Sequence, residues 1–167
     1  RLFDGLECSS VIIDNEEATY NATSHLIHND FKNIGFITTD SDQSQMQGRL
    51  MGYEKAIAVH NLKPKTLQIP YNDISRGKGK EFFREFLEHH TDLDAVFFAT
   101  NYLAQSGLEV FKENKPNLIS DLGIIAFDDN EMFKIYDPSI TSVSQPLLEI
   151  STKLMEILLH KKKKKDV

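Results

Sequence analysis

The chain contains two uninterrupted runs of apolar residues, and each run stops at a polar cluster. Residues 95–99 read AVFFA and are followed by Asn101, whereas residues 122–127 read LGIIAF and are followed by Asp128 and Asp129. A continuous apolar strand is typical of a sheet that is covered on both faces, which favours an α/β fold. Because ligands of open α/β sheets bind at the carboxyl ends of the strands, the polar clusters indicate a binding cleft.

Strand and helix patterns alternate along the rest of the chain with short connections. The predicted strands are residues 8–13, 34–39, 66–69, 95–99 and 122–127, with a further short segment at 140–143. The predicted helices are residues 16–29, 45–60, 78–89, 102–113 and 147–159. Helical crossovers between strands require a parallel sheet, so we expect a Rossmann-like open parallel sheet flanked by helices.

Two of the predicted helices have apolar faces at helical spacing. In the first helix the shared face is expected to hold Ala18, Ala22, His25, Leu26 and Asn29. In the last helix the apolar side is expected to hold Leu147, Ile150, Leu154, Ile157 and Leu158. Both faces need a packing partner.

Composition narrows the classes of function. The chain has 167 residues and a formal net charge of -6, whereas a domain that grips nucleic acid by itself usually has a basic face. Positive charge is concentrated in the run at 161–165, which we interpret as a solvated tail. No run approaches the roughly 18 apolar residues of a membrane span, and no signal peptide opens the chain. The lone Cys8 excludes an internal disulfide and favours a reducing, cytoplasmic compartment.

Several motifs in order resemble the effector-binding region of LacI/GalR-type bacterial transcriptional regulators. They are VIIDN at 11–15, HLI at 25–27, NIGFI at 33–37, GRLMGY at 48–53, FATN at 98–101, FDD at 127–129 and DPSITSVSQP at 137–146. The resemblance covers nearly the whole chain. It implies the fold of periplasmic sugar-binding proteins, in which two Rossmann-like lobes enclose an effector.

The resemblance also implies a division of the chain. Residues 1–32 would be a strand-plus-helix fragment of the first lobe, and 33–140 would form the second lobe. Residues 141–160 would be the crossover and a first-lobe helix, and 161–167 a basic tail. Since Arg1 is not a methionine, we expect a fragment that lacks most of the first lobe and the helix-turn-helix domain. The two first-lobe helices are then expected to pack on each other, on the strand at 8–13, or on a neighbouring chain.

Three residues are the main candidates for binding an effector. By resemblance, Arg49 donates to an effector oxygen or ring atom, Asn101 offers its amide, and Asp128 accepts from sugar hydroxyls or a purine N–H. Each also has a plain structural interpretation. Arg49 could pair with a surface acid, Asn101 could cap a helix, and Asp128 could stabilise a turn.

Further polar residues fall near the expected cleft. Asp14 and Asn15 would face it from the first lobe, and Asp40, Asn72 and Asp73 are looser candidates on loops at its edge.

The chain departs from the family pattern at two positions. Tyr102 replaces the usual aspartate after Asn101, and Ile74 stands where many relatives carry an aromatic residue that stacks on a sugar. The identity of the ligand therefore stays open.

The resemblance also points to a homodimer, with candidate interface residues Met132, Phe133, Tyr136 and Leu108. A core role is the alternative for the first three. The histidines do not form a complete metal set, and the GKGK sequence at 77–80 lacks the spacing of a phosphate-binding loop, so we expect neither metal nor cofactor.

We therefore expect the ligand-sensing and dimerisation core of a transcription regulator, which binds a sugar or nucleoside-like metabolite and does no chemistry on it. DNA would be bound only through a missing N-terminal domain, and no membrane is involved. One alternative is a secreted solute-binding protein of a sugar transporter. Another is an α/β enzyme, for which no nucleophile or acid–base pair can be assembled from these residues.

Overall fold

The computed structural model describes residues 8–114 and 121–165. Its helices are α1 (Asn15–His28), α2 (Ser44–Val59), α3 (Tyr71–Ser75), α4 (Gly79–His89), α5 (Asn101–Asn114) and α6 (Leu147–Lys165). Its strands are β1 (Ile34–Thr39), β2 (Lys65–Ile69), β3 (Ala95–Phe98), β4 (Gly123–Phe127) and β5 (Thr141–Val143). A 3₁₀ helix, Glu131–Ile135, lies between β4 and β5.

The strands form one parallel sheet in the order β2-β1-β3-β4-β5. Every residue of β1 and β3 is buried, as expected for central strands that are covered on both faces. The predicted α/β class and parallel sheet are confirmed. Since all strands run the same way, the residues that follow β1, β3, β4 and β5 lie along one edge.

Aromatic side chains fill the core on both faces of the sheet. Neighbouring residues of β3 point to opposite faces, so Phe97 meets Phe36 at 5.5 Å between ring centroids while Phe98 meets Phe83 at 5.5 Å. Gly107 of α5 sits directly on Phe98, whose ring occupies the space where a Cβ atom would be. The close approach of α5 to the sheet therefore requires glycine there.

Tyr53 joins α2 to the first residues of β1 and β2. Its buried ring stacks on Phe36 at 4.8 Å, and its hydroxyl donates to the Ile34 carbonyl at 2.8 Å and accepts from the Lys65 amide at 2.9 Å. Burial raises the pKa of this phenol to about 12, because the phenolate form would lose its hydration.

This pKa predicts a pH-dependent difference between the wild type and Tyr53→Phe. The folded pKa lies above the ordinary value near 10, so the hydroxyl's contribution is complete below about pH 10 and is lost as pH rises towards 12. Urea unfolding at several pH values should show Tyr53→Phe less stable by about 2 kcal/mol at neutral pH, with the gap narrowing between about pH 10 and 12. A gap that stays constant over this window contradicts the assignment. Tyr71→Phe, at an exposed ring, is the matched control.

The predicted strand at 8–13 is wrong. Residues 8–14 form no regular secondary structure, because none of the described strands lies beside them to supply hydrogen bonds. The short helix α3 and the 3₁₀ helix were not predicted, whereas the other predicted helices and strands are confirmed to within a few residues, apart from α6, which continues to Lys165.

Helix α1 packs against α2, a partner that was not among those expected for it. Gly52 makes this contact possible: an added Cβ atom would lie 2.9 Å from the Tyr20 amide nitrogen and closer still to the Glu16 carbonyl oxygen. The predicted face of α1 is confirmed at Leu26, which is buried, and in part at Ala18 and Ala22, which are half-buried and pack against the core. It is wrong at His25 and Asn29, which are exposed, and it lacks the buried residues Thr19, Thr23 and Ser24. Contact of α1 with a neighbouring chain stays a prediction. How the chain divides between two lobes stays a prediction.

Helix α6 has an exposed apolar surface. Leu147, Leu154 and Leu158, which were expected to lie on one apolar side, are 69%, 42% and 61% exposed. No other described part of the chain packs over these three leucines. None of its helices is long and apolar enough to cross a membrane.

Candidate functional site

Arg49 lies at the centre of the edge formed by the carboxyl ends of the strands. The second turn of α2 carries it, and its side chain is buried, with only 5% exposed. Its Nε donates to Asn15 Oδ1 at 2.9 Å, and its Nη1 donates to the Ala99 carbonyl at 2.6 Å. The guanidinium carbon also lies 3.6 Å from the centroid of the Phe127 ring. Three separate elements thus meet on one side chain.

Asp128 supplies the counter-charge to Arg49. Its two carboxylate oxygens accept from Nη1 at 3.3 Å and from Nη2 at 3.5 Å, so the pair is two-pronged. Burial lowers the pKa of the Arg49 guanidinium, and the charge of Asp128 opposes that shift. Since the Asp128 side chain keeps 24% of its surface exposed, its carboxylate can be reached from the cleft.

The backbone at Asp128 turns sharply as β4 ends. Its φ is 70°, a left-handed conformation that aspartate tolerates better than most residues, and its N–H donates to the Val143 carbonyl at 3.0 Å. This turn brings the carboxylate beside the segment that follows β5. The Gln145 amide there donates to Asp128 Oδ1, so one carboxylate joins α2 to the start of α6.

Asn15 and Asp14 form the opposite wall. Asn15 accepts from Arg49 and donates through Nδ2 to the Ile13 carbonyl at 3.0 Å. Asp14 Oδ1 accepts from the Glu17 amide at 2.9 Å and caps α1, whose partial positive charge favours an anion at this position.

These groups surround an open cleft of ≈ 890 Å³. This volume is in the range of small-molecule sites. Besides Arg49, Asp128, Asp14 and Asn15, the lining includes Val11, Ile12, Ile13, Glu16, Gln43, Ser44, Gln45, Met46, Gly48, Thr100, Tyr102, Gln145 and Ile150. Acceptors, donors and apolar surface are therefore present together.

The structure brings together four of the eight predicted site residues and places the other four, Asn101, Asp40, Asn72 and Asp73, outside the cleft lining. Asn101 donates to the Asp129 carbonyl at 3.4 Å, outside the cleft lining. Its predicted capping role belongs instead to Thr100, whose hydroxyl accepts from the Leu103 amide at 3.3 Å.

Asp40 and Asp73 also lie outside the lining. Asp40 Oδ1 accepts from the Tyr71 amide at 2.7 Å. Asp73 Oδ1 lies 3.6 Å from Arg76 Nη1, in an ion pair between residues three apart in the sequence. Both carboxylates therefore have local structural roles.

Sequence reasoning missed two of the polar contacts at this site. Gln145 was visible in the SVSQP motif as a polar residue just after a short strand, but the contact to Asp128 depends on the turn at residue 128. The Ala99 carbonyl is a backbone group and has no signal in the sequence.

The candidate interface residues differ in exposure. Leu108 and Phe133 are 0% and 1% exposed, so they belong to the core, and this burial argues against contact with a partner chain. Met132 and Tyr136 are half-buried and pack against that core. An interface role for these two stays a prediction.

The sequence profile of the periplasmic binding protein-like domain matches residues 23–166. The chain belongs to this family. The resemblance to LacI/GalR-type regulators is confirmed by relatives such as the HTH-type transcriptional regulator RegA of Clostridium saccharobutylicum, which is 30% identical over 159 residues. That alignment covers 95% of this chain and 48% of RegA, so the chain spans about half the length of such relatives.

Solved structures agree with the fold. A PurR family transcriptional regulator from Vibrio parahaemolyticus is 26% identical, with a TM-score of 0.80 over 96% of this chain and 61% of that one. A LacI family transcriptional regulator from Enterococcus faecium with bound ribose is 21% identical, with a TM-score of 0.75 over 90% of this chain and 55% of that one. The latter likeness concerns the fold alone.

Proposed function

We propose that this chain is the ligand-sensing core of a cytoplasmic transcription regulator, which binds a small polar metabolite and catalyses no reaction on it. The ligand would be a sugar or a nucleoside-like molecule held in the cleft around Arg49 and Asp128. A helix-turn-helix domain outside these 167 residues would bind DNA, and the regulator would act as a homodimer. The family and the regulators among its relatives support this proposal.

The observation that carries the proposal is the convergence of Arg49, Asn15, Asp128 and Gln145 at one edge of the sheet. Asp128 accepts from both Arg49 and Gln145, and each donor comes from a different element. A ligand hydroxyl that donates to Asp128 would compete with these donors. Binding would therefore rearrange contacts between α2, β4 and the segment leading into α6.

This rearrangement suggests how binding would be transmitted. Gln145 lies two residues before α6, the helix whose apolar side is exposed in this chain. A ligand that changes the Asp128–Gln145 contact would shift the position of α6 relative to the sheet. Such a ligand would regulate DNA binding only if it bound the chain more tightly with α6 in one position than with α6 in the other.

Asp128→Asn tests the proposed site. The amide removes the negative charge and one acceptor, so the affinity for the ligand should fall at least tenfold. Thermal unfolding with D-glucose, D-ribose, cellobiose and adenosine identifies the ligand that raises Tm most, and calorimetric titration then compares the variant with the wild type.

Glu113→Gln is the matched control, because Glu113 pairs with Arg84 on α4, away from the cleft. It should bind as the wild type does. Equal affinity of Asp128→Asn and the wild type would contradict the assignment of the site.

A further inference from the structure

Tyr102 presents an exposed aromatic ring on the wall of the cleft. It is the second residue of α5, it lines the cleft together with Thr100 and Ile12, and 43% of its surface is exposed. An aromatic ring has an apolar face and a polar rim, which suits the apolar face of a sugar ring whose hydroxyls point to the side. Among the described residues that line the cleft, it is the only aromatic one.

The charged side chains that line the cleft already have partners within the protein, and among the described lining residues three carboxylates face one cation. Arg49 is the one cationic side chain among the described lining residues, and its donors are engaged by Asp128, Asn15 and the Ala99 carbonyl. The remaining lining acids are Asp14, which caps α1, and Glu16, which pairs with Lys55 at 2.9 Å.

We propose that the effector is an uncharged sugar whose ring packs against Tyr102, and that the phosphorylated form of the same sugar is rejected. The inference rests on the proposed function, because it takes the cleft around Arg49 and Asp128 as the ligand site. Tyr102 then determines specificity by its ring face, while Asp128, Asn15 and Gln145 exchange hydrogen bonds with the hydroxyls.

Rejection of a phosphate follows from the engaged guanidinium. A dianion would need Arg49 to release Asp128, which would leave a carboxylate without its counter-charge beside the new negative charge. Free hydroxyls impose no such requirement, because they can donate to Asp128 while Arg49 stays in place. Discrimination therefore comes from repulsion of the wrong ligand as well as attraction of the right one.

Matched ligand pairs test the charge preference. The 167-residue chain is titrated calorimetrically with D-glucose and D-glucose 6-phosphate, and with D-ribose and D-ribose 5-phosphate. One of the two pairs should bind, and in that pair the neutral sugar should bind at least tenfold more tightly than its phosphate. A phosphate that binds as tightly or more tightly overturns this inference and leaves the proposed function standing. Binding of adenosine with no binding of glucose, ribose or cellobiose overturns this inference and leaves the proposed function standing. Binding of none of these compounds contradicts both.

Variants of Tyr102 test the stacking. Tyr102→Phe keeps the ring and should hold the affinity for the neutral sugar within about twofold, whereas Tyr102→Leu should weaken it about tenfold. Tyr71→Leu removes an exposed tyrosine outside the cleft lining and should leave affinity unchanged.

Fluorescence gives an independent readout, because the chain has five tyrosines and no tryptophan. Saturating neutral sugar should change the tyrosine emission of the wild type and Tyr71→Leu, and should change it far less in Tyr102→Leu. Equal losses of affinity in Tyr102→Phe and Tyr102→Leu, or no loss in either, would overturn the role of the ring.

Discussion

Replacing Arg49 by methionine should destabilise the chain by about 3 kcal/mol, as expected when one partner of a buried ion pair is removed. Methionine keeps much of the side-chain volume but leaves the Asp128 carboxylate, the Asn15 side-chain oxygen and the Ala99 carbonyl without their donor. The expected loss lies at the lower end for buried pairs, because the Asp128 side chain is 24% exposed. Urea unfolding followed by circular dichroism measures it.

A second arginine provides the comparison. Arg84 also pairs with a carboxylate, that of Glu113 at 2.6 Å, but both side chains are well exposed to water. Arg84→Met should therefore leave the free energy of unfolding unchanged within error. Adding Asp128→Leu to Arg49→Met should restore part of the lost stability, since it removes the unpaired charge. If Arg49→Met and Arg84→Met are equally harmless, Arg49 does not hold the cleft together.

Gly52→Ala should cost about 2 kcal/mol, although alanine is the better helix former by about 1 kcal/mol. The added methyl group would lie 2.9 Å from the Tyr20 amide nitrogen and 3.0 Å from the Thr19 Cβ. These are backbone or near-backbone atoms, which cannot rotate away, so α1 has to move off α2. Amide hydrogen exchange should speed up most in α1.

Gly79→Ala is the matched control for this substitution. An added Cβ at Gly79 meets no atom within 4 Å, so the variant should be as stable as the wild type or gain up to about 1 kcal/mol. A Gly52→Ala variant with unchanged stability and unchanged exchange in α1 would show that the two helices do not pack this closely.

The sheet could be predicted because its central strands β1 and β3 are buried on both faces. Runs such as residues 95–98 cannot be placed elsewhere without exposing a continuous apolar surface, so the pattern alone indicates the α/β class. The parallel order gathers the ends of β1, β3 and β4 at one edge, and this placed Arg49 and Asp128 close together.

Elements that depend on distant partners could not be predicted in the same way. Residues 8–13 have the composition of a strand, but a strand requires a neighbour, and the described chain offers none. The buried face of α1 consists largely of Thr19, Thr23 and Ser24, small polar residues that a search for apolar periodicity overlooks. Their burial follows from the close approach of the helices at Gly52.

The candidate site shows the same limit. Asn101 follows an apolar strand, as the motif suggests, but it does not line the cleft. Thr100 caps α5 through its hydroxyl, and it is Thr100 and Tyr102, on either side of Asn101, that line the cleft. The direction of a side chain at a helix start depends on which residue caps the helix, and both Asn and Thr are good caps.

NMR spectroscopy of the Arg49 Nε–H signal during titration with D-glucose, D-ribose, cellobiose and adenosine tests the binding of a small solute at this cleft most directly. This proton is buried and bonded to Asn15, so its resonance should be resolved and protected from exchange. With a saturating ligand, we expect shifts of this signal and of the Gln145 side-chain amide, with α4 unaffected. Ligand binding that shifts signals of α4 and leaves Arg49 and Gln145 unchanged, or no shift with any of the four compounds, would contradict binding at this cleft.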